Sequence, residues 1–131
     1  MKPKKTKKQR PNVHVEFRMS DEGCRVLSNA LLFLLNLKDF SYEEEKINYD
    51  SADQAEEKFT NKETNLTRGE VRATAKAIDV ALSRLPDKLS DFEYMEEDFP
   101  GLLSDLEKDL PVLQQLQPIF HTAVSDLRKM K

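Results

Sequence analysis

The stretch HVEFRMSDEG, His14 to Gly23, changes its period halfway along, and that change sets how the rest of the chain is read. With Val13 ahead of it, the first half puts Val13, Val15, Phe17 and Met19 on one side and His14, Glu16 and Arg18 on the other. Alternation at period two, carried by β-branched and aromatic residues, predicts a half-buried strand. Ser20 then has the chemistry of a helix N-cap, and Asp21 and Glu22 stand where a helix dipole favours carboxylates. The helix is expected to reach about Asn36 or Lys38. Cys24, Leu27, Leu31 and Leu34 share one face, and Val26, Ala30, Phe33 and Leu37 widen it, which predicts a central helix. The apolar run Ala30 to Leu37 is roughly half the length of a membrane span and belongs in a core, so no membrane association is expected. A lone strand leaves a row of unpaired backbone groups. It therefore needs a partner, either part of residues 40–50 (FSYEEEKINYD) or the same strand of a second copy in a homodimer.

Upstream, MKPKKTKKQRPN has two prolines, dense like charge and no apolar residue after Met1. It has nothing to bury, and a disordered basic tail over residues 1–12 is expected. No apolar h-region follows it, so no export signal is expected. Cys24 is the single cysteine, which fits a reducing, cytoplasmic setting. The net charge of -3 hides an asymmetry: roughly +6 over residues 1–19, roughly -6 over 39–63 and roughly -7 over 86–111.

Downstream, residues 38–66 read as a long acidic connection with a helical turn around Ser51 to Phe59. Thr67 and Glu70 in TRGE have capping-box spacing and open a helix expected to end at Leu85, before Pro86. Val71, Ala75, Ile78, Leu82 and Leu85 are its core stripe. Leu103, Leu106, Leu110, Leu113, Gln117, Phe120, Val124 and Leu127 then recur at steps of three and four, a helix-bundle seam. Pro111 and Pro118 fall inside it and predict a kinked or divided helical arm. The fold class that follows is mostly α, an α+β domain with one short N-terminal strand. A single helical domain spans residues 13–131 behind the basic tail.

Two surfaces stand out as candidate sites. The first is cationic: Lys2, Lys4, Lys5, Lys7, Lys8 and Arg10 in the tail, Arg18 on the strand, and Arg68, Arg72 and Lys76 along one helix face. Each cation that neutralises a phosphate releases a condensed counterion, so such an arm binds nucleic acid in a salt-dependent way. The second is FEYMEEDF, Phe92 to Phe99. There Phe92, Met95 and Phe99 are candidate anchors for a basic protein partner, with Glu96 and Glu97 steering it. Catalysis finds no footing, because no nucleophile, base and orienting group fall into a consistent set. No glycine-rich phosphate loop or metal-ligand spacing is present, and no cofactor or metal is expected.

The opening stretch, taken with NLTRGEVRATAKAI (Asn65 to Ile78), resembles locally the ribbon-helix-helix family of DNA-binding proteins. In that family, two subunits pair one strand each into a ribbon that enters the major groove. The resemblance implies base-facing roles for His14, Glu16 and Arg18 and a phosphate clamp at Thr67 and Arg68. The chain departs from it by placing Glu16 in the middle of the reading face. It also inserts nearly thirty residues between the two helices. The expected function is a non-catalytic, small regulatory or accessory protein whose tail contacts nucleic acid and whose acidic body contacts a protein. The alternative is a pure protein-binding module, such as an immunity, adaptor or inhibitor protein, and the third is a ribbon-helix-helix-like regulator.

Overall fold

The computed structural model describes residues 13–129. The basic tail, and with it the candidate contacts Lys2 to Arg10, lies outside them. Strand β1 (His14–Glu16) leads through Ser20 into helix α1 (Asp21–Leu35). The Ser20 hydroxyl accepts from the Gly23 amide at 3.0 Å, which closes one of the free donors at the helix start. The helix stops at its cap Asn36, inside the expected window. Cys24, Val26, Leu27, Ala30, Leu31, Phe33 and Leu34 are buried, so α1 is the central helix its composition predicts.

Residues 38–66 are not a bare connection. They hold the one-turn helix α2 (Tyr42–Glu45), the three-turn helix α3 (Tyr49–Thr60) and strand β2 (Asn65–Thr67). Ser41 caps α2 and Asn48 caps α3, each side chain accepting an amide three residues on. Ala52, Ala55 and Phe59 lay α3 against α1 and α4. The partner of β1 is therefore not in residues 40–50, whose capped sequence winds into helix. It is β2, antiparallel, with His14 opposite Thr67, Val15 opposite Leu66 and Glu16 opposite Asn65. The strand is satisfied on that side within one chain, with no second copy needed.

Helix α4 (Arg68–Lys88) opens on the expected capping box. The Thr67 amide donates to Glu70 Oε1 at 2.9 Å, and the Glu70 amide donates back to the Thr67 hydroxyl at 3.2 Å. Lys58 from α3 adds its ammonium to the same Glu70 oxygen at 2.7 Å and reaches the Asn65 carbonyl at 2.9 Å. One carboxylate, 1% exposed, thus ties α3, β2 and α4 together. The two helices come close at Gly69, where a Cβ would stand 2.5 Å from Ser51 Oγ. α4 does not stop at Leu85. It passes through Pro86 to Lys88 and tightens into a 3-10 segment over Leu89–Glu96. A proline costs one amide hydrogen bond and crowds the turn before it, and here the α-helix continues only two residues beyond it.

The C-terminal arm divides at Asp109 into α5 (Leu102–Lys108) and α6 (Leu110–Lys129), with Pro111 in the first turn of α6, where its missing amide is harmless. Pro118 sits within α6 without ending it. Asp109 takes both guanidinium nitrogens of Arg25, at 3.0 and 3.4 Å, fastening the division to α1. That hydrogen bond holds the Arg25 pKa above its usual value. Leu103, Leu106, Leu113, Phe120 and Leu127 of the seam are buried, and Phe120 stacks on Phe17 with ring centroids 4.4 Å apart. The seam is core. With the helices making up 73% of the structure and one short two-strand sheet, the mostly-α class holds.

Candidate functional site

The strand register decides where the cations gather. Because His14 lies opposite Thr67, Val13 stands beside the first turn of α4, the helix carrying Arg68, Arg72 and Lys76. α4 and α6 pack together, and the groove between them is lined by Arg72 and Lys76 from the first and by His121, Ser125 and Arg128 from the second. The start of α4 thus lies by the end of α6, whose last turn carries Arg128 and Lys129. These cations are also where the negative end of the α6 dipole favours them. The six basic residues of positions 1–12 leave -9 on the remainder, so Arg68, Arg72, Arg128 and Lys129 are a cationic cluster on an acidic body.

The line Arg68, Arg72, Lys76 is not three equivalent charges. Arg72 donates to the Lys46 carbonyl at 3.2 Å, and Lys46 itself turns the chain with φ 59. Lys76 pairs with Glu45 at 2.8 Å. That hydrogen bond, and then the lysine charge, hold the Glu45 carboxyl below its usual pKa. Deeper in the groove, Asp79 Oδ1 receives Gln117 Nε2 at 2.8 Å and lies 2.7 Å from His121 Nε2. Ser125 lines the same groove but makes no hydrogen bond to His121 among the described residues.

On β1, His14, Glu16 and Arg18 point outward as the alternation predicts, and Glu16 accepts from the Thr64 hydroxyl at 2.6 Å. The ribbon-helix-helix layout is not reproduced. β1 pairs with β2 of its own chain, and α2 and α3 are inserted in sequence between α1 and α4, which still pack against each other.

The acidic-aromatic segment needs correction. Phe92 and Met95 are buried, with Phe92 edge-on to Phe33 at 4.9 Å, so these two anchors are spent on the chain's own core. Phe99 packs partly against that core. Glu96 turns its two oxygens onto the amides of Gly101 and Leu103, at 2.8 and 3.1 Å, and so caps α5. Only Glu97 of the five stays exposed. Helical spacing of aromatics suits a core and a docking face equally well, and burial here chooses the core.

Arg128, which the sequence reading passed over, completes the groove. Gln117, His121, Ser125 and Arg128 step by four, four and three along α6, a polar face that signals it. Cys24 is 2% exposed, and burial, with Asp21 nearby, pushes its thiol pKa up, away from thiolate chemistry. Among the described residues, no group of three or more His, Cys, Asp or Glu can hold a metal ion. No described helix is long and apolar enough to cross a membrane. Comparison with protein-family models, with curated proteins and with solved structures found no match.

Proposed function

We propose that this chain is a non-catalytic accessory protein of the cytoplasm that grips nucleic-acid phosphates with one basic end. That end comprises Lys2, Lys4, Lys5, Lys7, Lys8 and Arg10 of the tail with Arg68 and Arg72 of α4. The observation that supports the reading is the register of β1 on β2, which sets Val13, the residue that follows the basic segment in sequence, beside the start of α4. Neutralised phosphates release counterions, so a cluster of this kind binds the backbone without reading bases. The -9 on the rest of the body repels a duplex and confines contact to this end.

The same acidity favours a second reading, a module that binds a basic protein. Glu93, Glu97 and Asp98 are exposed for it, although Phe92 and Met95 are not. Charge reversal at Glu97 and Asp98 separates the two readings, since Glu96 has a capping role of its own.

The test is fluorescence anisotropy of a labelled mixed-sequence duplex over a salt series, with the wild type and with Arg68→Gln/Arg72→Gln, the tail being intact in both. Joint action of tail and helix lowers the salt slope by about one for each contact removed. An unchanged affinity and slope means that α4 takes no part, and the reading fails.

A further inference from the structure

We infer that the groove between α4 and α6 is a discrete seat for a single phosphate group, held by the guanidinium groups of Arg72 and Arg128 with the Ser125 hydroxyl lining the same space. Three observations converge on it.

The charges come first. The two carboxylates of the groove are already engaged, Glu45 by Lys76 at 2.8 Å and Asp79 by His121 and Gln117 at 2.7 and 2.8 Å. Neither guanidinium has a carboxylate partner among the described residues. Arg72 bonds a backbone carbonyl, and Arg128 makes no hydrogen bond or ion pair. The groove thus holds two arginines whose charge no carboxylate among the described residues takes up. Arginine presents a planar fork of donors that fits phosphate in pairs of parallel hydrogen bonds.

Size is the second. The cavity is about 260 Å³. Pockets that enclose drug-sized ligands run from roughly 300 to 1,000 Å³, so this one suits a phosphate or a compact phosphoester. The third is the floor. Ile47, Ala75 and Val124 line the groove beside the charges, and an apolar floor strengthens a charge-assisted hydrogen bond by lowering the local dielectric.

The seat needs nothing from residues 1–12 and shares only Arg72 with the reading above, so the two fail separately. Its phosphate comes from a small phosphoester or from a nucleic-acid backbone. Lys76 is the adjustable part. Paired with Glu45 it is partly neutralised, and released from Glu45 it adds a third cation.

The experiment is a titration of the ¹⁵N-labelled full chain, followed at the Arg Nε–Hε and backbone amide signals by nuclear magnetic resonance. Inorganic phosphate, a nucleoside monophosphate and a mixed-sequence duplex are added in separate arms. Phosphate and the monophosphate should produce saturable shifts at Arg72, Ser125 and Arg128. Arg128→Gln should weaken binding about tenfold, the scale of one charge-assisted pair, while Glu45→Gln strengthens it. Both side chains are exposed, so the variants fold. A duplex that moves the same signals assigns the seat to backbone phosphate; a duplex that leaves them still assigns it to a small phosphoester. Shifts confined to the tail lysines, or an affinity that Arg128→Gln leaves unchanged, overturn the seat.

Discussion

Two lysine–glutamate pairs on α4 have nearly the same geometry and opposite consequences. Lys58 meets Glu70 at 2.7 Å, and Lys76 meets Glu45 at 2.8 Å. In the first, the Glu70 side chain is 2% exposed and the Lys58 side chain 25%; in the second the exposures are 43% for Glu45 and 30% for Lys76. Glu70 also accepts from the Thr67 amide, so its charge is fixed by two donors in a dry place. Glu45 stands on a single turn of helix in contact with water. Distance therefore says little about what an ion pair does, and burial says a good deal. The Glu70 end of α4 is a joint holding α3, β2 and the helix together. The Lys76 end is a rim whose charges remain available to a ligand.

Breaking the joint should have the largest effect. Glu70→Ala leaves the Lys58 ammonium without its counter-charge, with only the Asn65 carbonyl to accept from it, and strands the Thr67 amide. A loss of about 3 kcal/mol is expected in urea unfolding, at the lower edge of the range for broken buried pairs because Lys58 keeps some contact with water. Thr67→Ala removes one half of the capping box and should cost about 1 kcal/mol by the same measurement. Gly69→Ala presses on Ser51 Oγ, which can rotate away, and should cost less than Thr67→Ala.

At the rim, Lys76→Met should leave Tm almost unmoved at pH 7. The Glu45 carboxyl is held below its usual value in the folded chain. Its contribution is therefore present above the unfolded carboxylate pKa of roughly 4.3 and is lost as pH falls through the depressed folded value. Any difference in Tm between wild type and Lys76→Met should close over that acidic range. A Lys76→Met loss as large as that of Glu70→Ala contradicts the contrast between the two ends.

What was legible in the sequence follows the same division between local and distant causes. β1, the Ser20 cap, α1 and the Thr67–Glu70 box are written in residues within a turn of one another, and each is found where the pattern puts it. β2 was not legible, because three residues are too few to show alternation and its pairing partner lies about fifty positions upstream. α3 was read as a turn because two of its three buried contacts are Ala52 and Ala55, which give little apolar contrast against Asp53, Glu56 and Glu57. Phe92 and Met95 have the spacing of anchors and the burial of core. The cationic line on α4 was visible, but its compensation by Glu45 and by the Lys46 carbonyl comes from a different element. Arg128 joins Arg72 only because α4 and α6 pack side by side, a fact no window of sequence contains.

The central claim is that the tail and the start of α4 form one basic end that holds nucleic-acid phosphates. Its most direct test is the slope of log K against log salt for a mixed-sequence duplex, measured for the full chain and for a chain lacking residues 1–11. Each phosphate neutralised on duplex DNA contributes about 0.9 to that slope. Loss of the six cations Lys2, Lys4, Lys5, Lys7, Lys8 and Arg10 should therefore flatten it by up to about five, with a weak, shallow remainder from α4. Equal slopes for the two chains, or no binding by either at low salt, would contradict the claim.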